Sequence, residues 1–327
     1  MAPNVETPSV DGLGRPDRTA VIAVGNFDGV HRGHQALVRT TTACAVERGL
    51  EAVVLTFHPH PYEVLVGPGR AVLTLLERKV ELLGRIDSSL RVVVEPFTRE
   101  LGALTPEQFA ERVLVSRLHA HTVVVGHGFR FGRGRTGDLA TLETLGRRLA
   151  FSALAAELVA DRGGAISSSR IRAAIEHGDV LAAEQMLSRP HALSGRVVHG
   201  DGRGHALGVP TANLSRVQEL LPPHGVYACL VDRVEPEGGG SALGGGVLNV
   251  GVRPTMDAGF SLEVHLLDFA GDLYGAYLRV HLVERLREER RFASVAELSV
   301  QIQADILVAR RLLAERRRDP SAGGGWY

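Results

Sequence analysis

Short apolar runs alternate with longer amphipathic stretches over the first part of the chain. The apolar runs have the length of buried strands and comprise Val21–Val24, Val53–Thr56, Val92–Val94, Thr122–Val125 and Ser152–Leu158. The stretches between them repeat with the helical period and include His34–Arg48, Pro106–Leu118 and Leu139–Leu149. This alternation predicts a doubly wound α/β domain around a parallel sheet. Ligands of such domains bind at the carboxyl ends of the strands, where loops lead into helices.

The pattern changes near Arg189–Pro190, beyond which short strands are separated by Gly and Pro turns. They predict a small antiparallel β-barrel and comprise Gly195–His199, Gly225–Val231, Gly246–Val250, Ser261–Leu267 and Leu278–Leu286. Glu235–Gly246, with three glycines on each side of Ser-Ala-Leu, is predicted to be a flexible loop, and Ser294–Arg318 a C-terminal amphipathic helix. The predicted organisation is a flexible leader over 1–18, an α/β domain over 19–188 and a barrel domain over 189–327.

The amino-acid composition restricts the possible functions more than it restricts the possible folds. The 327 residues are 44% hydrophobic with no net charge, so the chain can bury two cores and has no global field to recruit nucleic acid or an anionic membrane. No apolar run approaches the roughly 20 residues that span a bilayer, and the polar leader lacks the apolar segment of a signal peptide. The Arg-rich end of the last helix is interleaved with acidic residues, which favours a solvated helix end over an RNA patch. We therefore expect a cytoplasmic protein without nucleic-acid or membrane partners, whose oligomeric state the sequence does not give.

Lysine usage excludes two classes of enzyme. Of the 37 basic residues only Lys79 is a lysine, and it lies in the helical stretch Leu75–Leu83. A P-loop needs a lysine beside its glycines, and a Schiff-base enzyme needs one in its pocket. Because Lys79 has neither context, we expect phosphate binding to depend on Arg, His, backbone N–H groups and metal ions.

The first predicted strand runs directly into the glycine-rich segment Gly25–His34, which carries His31 and His34. Glycine lets the backbone turn tightly beside a ligand, and a helix that begins near His34 directs its N–H groups and the positive end of its dipole at an anion. These features suit nucleotidyl transfer, in which charge on the α-phosphate and the departing pyrophosphate must be stabilised. The alternatives are two ordinary loop histidines, or a zinc site completed by His58 and His60.

A second glycine-rich segment, Gly200–Gly208, precedes Thr211 and Asn213 in the barrel domain. These two residues are two positions apart on an extended chain, so their side chains point to one face. A hydroxyl and an amide oxygen there could hold Mg²⁺ with nucleotide phosphates, because hard cations take oxygen ligands; a plain turn could use the same residues. Glu263 lies within a predicted strand, where a carboxylate is costly unless it is exposed, paired or catalytic, and it could be the base of a kinase.

Five motifs of the first domain resemble, in order, the adenylyltransferase module of bacterial bifunctional riboflavin kinase/FAD synthetases. They lie within Gly25–His34, Thr56–Pro61, Pro96–Phe109, Phe129–Asp138 and Ile166–Arg172, and the first contains the His-x-Gly-His of nucleotidyltransferases. The resemblance implies a Rossmann-like nucleotidyltransferase fold that transfers an adenylyl group from ATP to FMN, giving FAD and pyrophosphate.

The same resemblance implies roles for individual residues. His31 and His34 would be catalytic contacts to the ATP phosphates. The nucleotide and its phosphates would also contact Gly25, Asn26, Phe27, Asp28, Gly33, Ser168, Ser169 and Arg172, and the flavin would contact Phe57, Pro59, Phe129 and Phe131. Arg172 could instead pair with Glu176 one helical turn later.

Five stretches of the second domain resemble riboflavin kinase. They are Gly208–Asn213, Gly225–Tyr227, Asn249–Thr255, Glu263–Asp268 and Asp272–Gly275. The resemblance implies ATP-dependent phosphorylation of riboflavin to FMN, in which Thr211 and Asn213 bind Mg²⁺–ATP and Glu263 activates the terminal ribityl hydroxyl. Gly202, Gly204 and Gly208 would border the nucleotide.

Some residues depart from the pattern of this family. His58 stands where an Asp or Glu usually precedes Pro-His-Pro, and His127 and Gly128 precede a Phe that usually follows an Asn or Asp. These departures leave open a riboflavin kinase whose first domain has lost adenylyl transfer or uses another nucleotide. A non-catalytic flavin-binding protein is a further alternative, against which the retained kinase residues argue.

Overall fold

The computed structural model describes residues 4–6, 19–200, 204, 208–235, 240–252 and 260–314. The chain divides into two compact units. The first contains the chain up to Arg70 together with Thr74–Ser167, and the second contains Ala71–Leu73 and the chain from Ser168 onward. This division precedes the predicted boundary at Arg189, because two intervening helices pack with the barrel.

The first unit is built on a six-stranded parallel sheet in the order β1-β4-β3-β2-β5-β6. The strands are β1 (Asn4–Glu6), β2 (Ala20–Val24), β3 (Glu51–His58), β4 (Arg91–Pro96), β5 (Ala120–Val125) and β6 (Ser152–Ala155). Successive strand residues enter opposite cores, since Ile22 and Leu55 pack on one face and Val21 and Val54 on the other. The predicted doubly wound α/β architecture is confirmed.

Helices cover both faces of this sheet. They are α1 (Arg32–Arg48), α2 (Pro61–Leu65), α3 (Leu76–Ile86), α4 (Arg99–Gly102), α5 (Pro106–Phe109) and α6 (Leu139–Leu149). The predicted helix Pro106–Leu118 changes type after α5, because Ala110–Val115 is π-helical and the Ser116 N–H donates to the Glu111 carbonyl at 2.9 Å. A 3₁₀ turn, Arg133–Arg135, and a short antiparallel ribbon of β7 (Ala160–Asp161) and β8 (Gly164–Ala165) complete the unit.

Part of the predicted leader forms a strand, and residues 1–3 and 7–18 lie outside the described part. Its residues Asn4–Glu6 form β1, which pairs in parallel with β4 and places Val5 opposite Val92. The prediction of a flexible leader is therefore wrong for these three residues. The physical reason is that a strand edge presents a row of N–H and C=O groups to any extended segment nearby.

The second unit contains a closed barrel of antiparallel neighbours in the order β10-β13-β12-β11-β14-β9. The strands are β9 (Ala192–Val198), β10 (Ala212–Ser215), β11 (Gly225–Val234), β12 (Gly240–Val252), β13 (Phe260–Leu266) and β14 (Tyr277–Glu288). Alternate residues, among them Leu248, Val264 and Leu282, fill the interior. The antiparallel barrel predicted from the sequence is confirmed, with β10 as an additional strand.

The described part of the second unit also contains the helices α7 (Ser168–Glu176), α8 (Val180–Leu187) and α9 (Val295–Ala314). Val180 of α8 is 1% exposed and belongs to the core cluster of the barrel, which explains why the second unit begins before Arg189. On the outer face of the barrel, α9 packs its buried Ala309 against Leu230 and Val283. The predicted C-terminal helix is confirmed over Val295–Ala314.

The glycines of the predicted loop Glu235–Gly246 are partly strand residues. β12 begins at Gly240, so the loop prediction is wrong for Gly240–Gly246; residues 236–239 lie outside the described part. A Cβ on Gly245 would lie 2.7 Å from Leu313 Cδ1 of α9, and a Cβ on Gly246 would lie 2.9 Å from the His265 carbonyl oxygen. These glycines allow close packing. The sequence alone does not show whether a run of glycines serves close packing or flexibility.

Candidate functional site

The loop between β2 and α1 carries the first group of predicted residues. The Gly25 N–H donates to the Leu55 carbonyl of β3 at 3.1 Å, which ties the start of the loop to the sheet. The Val30 N–H donates to the Phe27 carbonyl at 3.1 Å and closes a turn in which Phe27, Gly29 and Val30 have φ values of 50°, 90° and 39°. This turn delivers the chain to the N-terminus of α1 at the carboxyl end of a central strand, the position expected for a ligand.

His31 and His34 lie together at the start of α1. His31 is the N-cap, and its Nδ1 accepts a hydrogen bond from the His34 N–H at 3.3 Å. The two imidazoles stack with ring centroids 3.6 Å apart and planes 18° from parallel. The N–H groups of a first helical turn have no acceptor within the helix. Two imidazoles and the positive end of the dipole therefore converge on one place, which suits an anion such as a phosphate.

Gly33 makes this stacking possible. A Cβ at this position would lie 3.2 Å from Cε1 and Nδ1 of the His31 ring and 3.6 Å from the Ile166 carbonyl oxygen. Contacts of 3.2 Å are tighter than carbon atoms normally allow, so any side chain here would displace the His31 ring. A steric reason thus explains why the third position of the His-x-Gly-His motif is glycine in this structure.

Residues of this loop that point into the unit are buried and fix the shape of the loop. Phe27 is fully buried and Asp28 is 4% exposed. Asp28 Oδ1 accepts a hydrogen bond from the Thr74 N–H at 3.3 Å, and the Thr56 hydroxyl donates to the Asn26 carbonyl at 3.2 Å. Phe27, Asn26 and Asp28 therefore hold the loop from inside the unit.

Lys79, the only lysine of the chain, lies on α3 and is 5% exposed. Burial lowers the pKa of its ammonium, and the negative charge of Asp28 opposes that change. Lys79 is therefore an internal partner of the loop residue Asp28. At the start of α1, His31 is 6% exposed and His34 is half-buried.

Ser168, Ser169 and Arg172 occupy the first turns of α7 and belong to the second unit. The Arg172 side chain is buried, and its Nη1 donates to the Ala71 carbonyl at 2.7 Å. Their assignment to the ATP phosphates stays a prediction from the family motif. The contact to Ala71 gives Arg172 a structural role that the sequence did not indicate.

The aromatic residues assigned to the flavin form a chain at one side of the sheet. Phe57 and Phe131 belong to the buried core and are 9% and 7% exposed. Phe129 is half-buried and stacks on Phe131 with ring centroids 5.4 Å apart, while Phe57 meets Phe97 edge to face at 5.7 Å. Phe57 and Phe131 are therefore chiefly core residues, and Phe129 presents more surface. Contact with a flavin stays a prediction for these residues and for the half-buried Pro59.

The second group of predicted residues lies in a row across three barrel strands. Asn213 of β10 and Asn249 of β12 are both in register with Glu263 of β13. Paired residues of neighbouring strands point to the same face, and the interior face is taken by their neighbours Leu248 and Val264. The row therefore lies on the outer face of the barrel.

Glu263 accepts two hydrogen bonds in this row. The Ser261 hydroxyl donates to Oε1 at 2.8 Å, and the Thr211 hydroxyl donates to Oε2 at a longer 3.4 Å. His265, two residues further along β13, places its Nδ1 2.8 Å from the Pro210 carbonyl oxygen. The structure thus brings the Thr211 hydroxyl to the Glu263 carboxylate and places Asn213 in register with Glu263, while their roles toward metal, nucleotide and flavin stay predictions.

The glycine-rich segment contacts the same residues. A Cβ on Gly200 would lie 2.2 Å from the Asn213 amide nitrogen, and a Cβ on Gly204 would lie 2.5 Å from the Val209 carbonyl oxygen. Gly208 has φ +73°, a conformation that other residues rarely adopt. Gly202 lies outside the described residues. The backbone can therefore approach the row closely only because these positions lack a Cβ.

The oxygen-rich row suits a hard cation. The Thr211 hydroxyl and the Asn213 amide oxygen are ligand types that Mg²⁺ accepts beside nucleotide phosphates. Among the residues that the structure describes, no three His, Cys, Asp or Glu side chains are grouped as they would be around a metal ion. A site at this row would therefore complete its coordination with phosphate oxygens and water.

Comparison with known proteins identifies the family. Residues 14–170 match the family model of FAD synthetase, and residues 187–313 match that of riboflavin kinase. Over 300 residues, 90% of this chain and 93% of the relative, the chain is 41% identical to a bifunctional riboflavin kinase/FMN adenylyltransferase of Escherichia coli strain K12. A protein of the same description from Bacillus subtilis strain 168 is 35% identical, over 91% of this chain and 94% of its own length.

The chain belongs to the bifunctional riboflavin kinase/FMN adenylyltransferase family. This confirms the resemblance inferred from the motifs. The fold also matches a crystal structure described as a macrolide-efflux protein from Streptococcus pneumoniae, with a TM-score of 0.81 and 29% identity over 95% of this chain and 99% of that one. In the part of the chain that the structure describes, no helix is long and apolar enough to cross a membrane.

Within this family assignment, the structure adds two residues that the sequence analysis did not single out. Ser261 contacts Glu263 directly, and Asn249 lies opposite Glu263 on the neighbouring strand. The strand period could have found Ser261, because residues two apart share a face. Asn249 needs the pairing of β12 with β13, which periodicity does not give.

Proposed function

We propose that the barrel unit phosphorylates riboflavin with ATP to give FMN. Glu263 takes the proton of the terminal ribityl hydroxyl, whose oxygen attacks the γ-phosphorus of ATP, and ADP leaves. The observation that carries this proposal is the hydrogen-bonded grouping of Thr211, Ser261 and Glu263 on one face. Membership of the family supports the same activity.

The metal ion of this reaction is proposed to be Mg²⁺. Thr211 and Asn213 would hold it through their side-chain oxygens, and it would neutralise charge on the transferred phosphoryl group. Gly200 and Gly204 pack directly against both residues, since a Cβ on Gly200 would lie 2.2 Å from the Asn213 amide nitrogen and one on Gly204 would lie 3.0 Å from the Thr211 hydroxyl oxygen. The phosphates of ATP would then lie beside the glycine-rich segment.

The α/β unit is proposed to transfer the adenylyl group of ATP to FMN. A phosphate oxygen of FMN attacks the α-phosphorus, FAD forms and pyrophosphate leaves. His31 and His34 at the N-terminus of α1 would stabilise the negative charge that develops on these phosphates. Their stacked arrangement over Gly33 supports this role. The two reactions in sequence would make flavin cofactors from riboflavin and ATP, and we place them in the cytoplasm.

The test is to incubate the pure full-length chain with riboflavin, ATP and Mg²⁺ and to resolve FMN from FAD by chromatography. We expect both products, with FMN appearing first. FMN alone would show that the first unit lacks adenylyl transfer, and no product would refute both assignments.

Substitution of the base sharpens this test. Glu263→Gln keeps the size of the side chain, so riboflavin and Mg²⁺–ADP should bind nearly as before, while kinase turnover falls by about 10²–10⁴-fold, the usual effect of a positioned acid–base group. Glu288→Gln is the matched control, because that side chain is 85% exposed. Near-normal turnover of Glu263→Gln would show that the carboxylate is structural.

A further inference from the structure

The two carboxylate oxygens of Glu263 accept hydrogen bonds of different lengths. Oε1 accepts a short hydrogen bond from Ser261, 2.8 Å long, whereas Oε2 accepts a long one from Thr211, 3.4 Å long. Hydrogen bonds weaken with distance, and O–H···O bonds are usually about 2.7–2.8 Å long. Oε1 is therefore the firmly held oxygen, and Oε2 is the one with capacity for a further proton.

Ser261 has the geometry of a fixed support. It is 8% exposed and lies two residues before Glu263 on β13, so both side chains leave the strand on the same face. Opposite Ser261 stands Gly251 of β12, so no side chain at that position competes for the serine hydroxyl. The terminal torsion of a glutamate is otherwise broad and roughly two-fold. A hydrogen bond from a buried neighbour on the same strand restricts it.

We propose that Ser261 is a positioning residue of the kinase reaction: it holds Oε1 of Glu263 and thereby directs Oε2 at the flavin hydroxyl. This inference rests on the proposed function, in which Glu263 is the base. The serine itself touches neither substrate nor the reacting atoms. Its effect passes through the orientation of the carboxylate.

Other groups lie near this carboxylate. Thr211 precedes β10, and Asn213, Asn249 and His265 lie on β10, β12 and β13. The Glu289 carboxylate approaches the row as well, since a Cβ on Gly251 would lie 3.0 Å from its Oε1. These neighbours are common to the parent and the variants, so a difference in kcat isolates Ser261.

The experiment compares Ser261→Ala with the parent in the full-length chain, measuring riboflavin kinase kcat and KM. We expect kcat to fall about tenfold, as for loss of a hydrogen bond to a charged group, with KM for Mg²⁺–ATP and for riboflavin unchanged. A merely structural defect would change KM as well. Ser261→Thr keeps the hydroxyl and should restore kcat.

Two further variants make the result decisive. Ser215→Ala removes a hydroxyl from β10 that donates to the Arg196 carbonyl at 3.2 Å, and it should change neither kcat nor KM. Glu263→Gln tests the base itself. A Ser261→Ala enzyme with the parent's kcat, beside an inactive Glu263→Gln enzyme, overturns the positioning role alone. An active Glu263→Gln enzyme overturns the proposed base and this inference with it. If Ser261→Ala does not fold, Ser261→Cys, with a weaker donor of similar size, should give an intermediate kcat; the parent's kcat would refute the role.

Discussion

Glu219 gives the second unit a stability that depends on pH. This carboxyl is 4% exposed, and its backbone forms a parallel bridge with Val72. Its Oε2 has no hydrogen-bond partner among the described residues. Burial raises the pKa of Glu219 to about 7, and hydrogen bonds from Ser194 and from nearby backbone groups oppose that change by less.

The sign of the effect follows from proton binding. The pKa of Glu219 is raised from 4.5 in the unfolded chain to about 7 in the folded one. The folded state therefore binds the proton more tightly, so the stabilisation is fully present below pH 4.5 and is lost as the pH rises through 7. At about 1.36 kcal/mol for each pKa unit, the full loss is about 3 kcal/mol, of which about 2 kcal/mol falls between roughly pH 5.5 and 8.5.

The perturbation is Glu219→Gln, which removes the titration and keeps the volume. We expect the variant to gain stability relative to the parent as the pH rises. For a unit of this size, about 2 kcal/mol corresponds to a change of about 4–8 °C in the thermal midpoint. Scanning calorimetry of both full-length proteins at several values from about pH 5.5 to 8.5 measures the gap between their midpoints.

The quantity to follow is the thermal midpoint of Glu219→Gln minus that of the parent. If this difference stays constant or falls with rising pH, the reasoning is refuted, because the substitution would then not have removed a carboxyl of raised pKa. Glu288→Gln, at an exposed position of the same unit, is the control and should show a constant gap. Activity is not needed for this test, so it stays independent of the proposed function.

Two further predictions concern the first unit. His31→Ala and His34→Ala should abolish FAD formation and leave riboflavin phosphorylation intact in the chromatographic assay, whereas the exposed His121→Ala should change neither; loss of both activities would indicate misfolding. Gly128→Asn should raise FAD output by a few-fold to about a hundredfold if the polar side chain usual in the family is what the chain lacks. A Cβ on Gly128 or on the control Gly126 meets nothing within 4 Å, so both Asn variants fit, and an equal response of the two would contradict this explanation.

The pattern of apolar residues predicted the layers of the fold because buried strands and amphipathic helices have different apolar patterns. The strands Ala20–Val24 and Glu51–His58 are buried on both faces in the parallel sheet, and their sequences read as continuous apolar runs. The same reasoning missed the strand at Gly240–Gly246, since its glycines match the tight approach of α9 and carry no apolar pattern. Tertiary packing determined that strand, and information on tertiary packing is not contained in the hydrophobic pattern of one sequence.

The candidate sites were predictable to the extent that they are local. His31, Gly33 and His34 are neighbours in sequence, and their geometry follows from the start of one helix. The kinase row joins residues from three strands. Asn213 and Glu263 were singled out one by one, from their chemistry and from the family motif, and Asn249 was missed because strand pairing is not visible in the sequence. Ser261 was overlooked although it lies two residues from Glu263, because the strand period alone does not say that the two side chains are hydrogen-bonded.

The departures from the family pattern lie where they affect ligands rather than folding. His58 ends β3, and His127 and Gly128 follow β5; all three are exposed, at the edge of the sheet where doubly wound folds bind their ligands. Phe27 and Asp28, which hold the neighbouring β2–α1 loop, are buried. Substitution of an exposed residue usually changes stability by less than about 0.5 kcal/mol. Any consequence of these three departures should therefore appear in the rate or selectivity of FAD formation, while the fold and FMN formation remain unaffected.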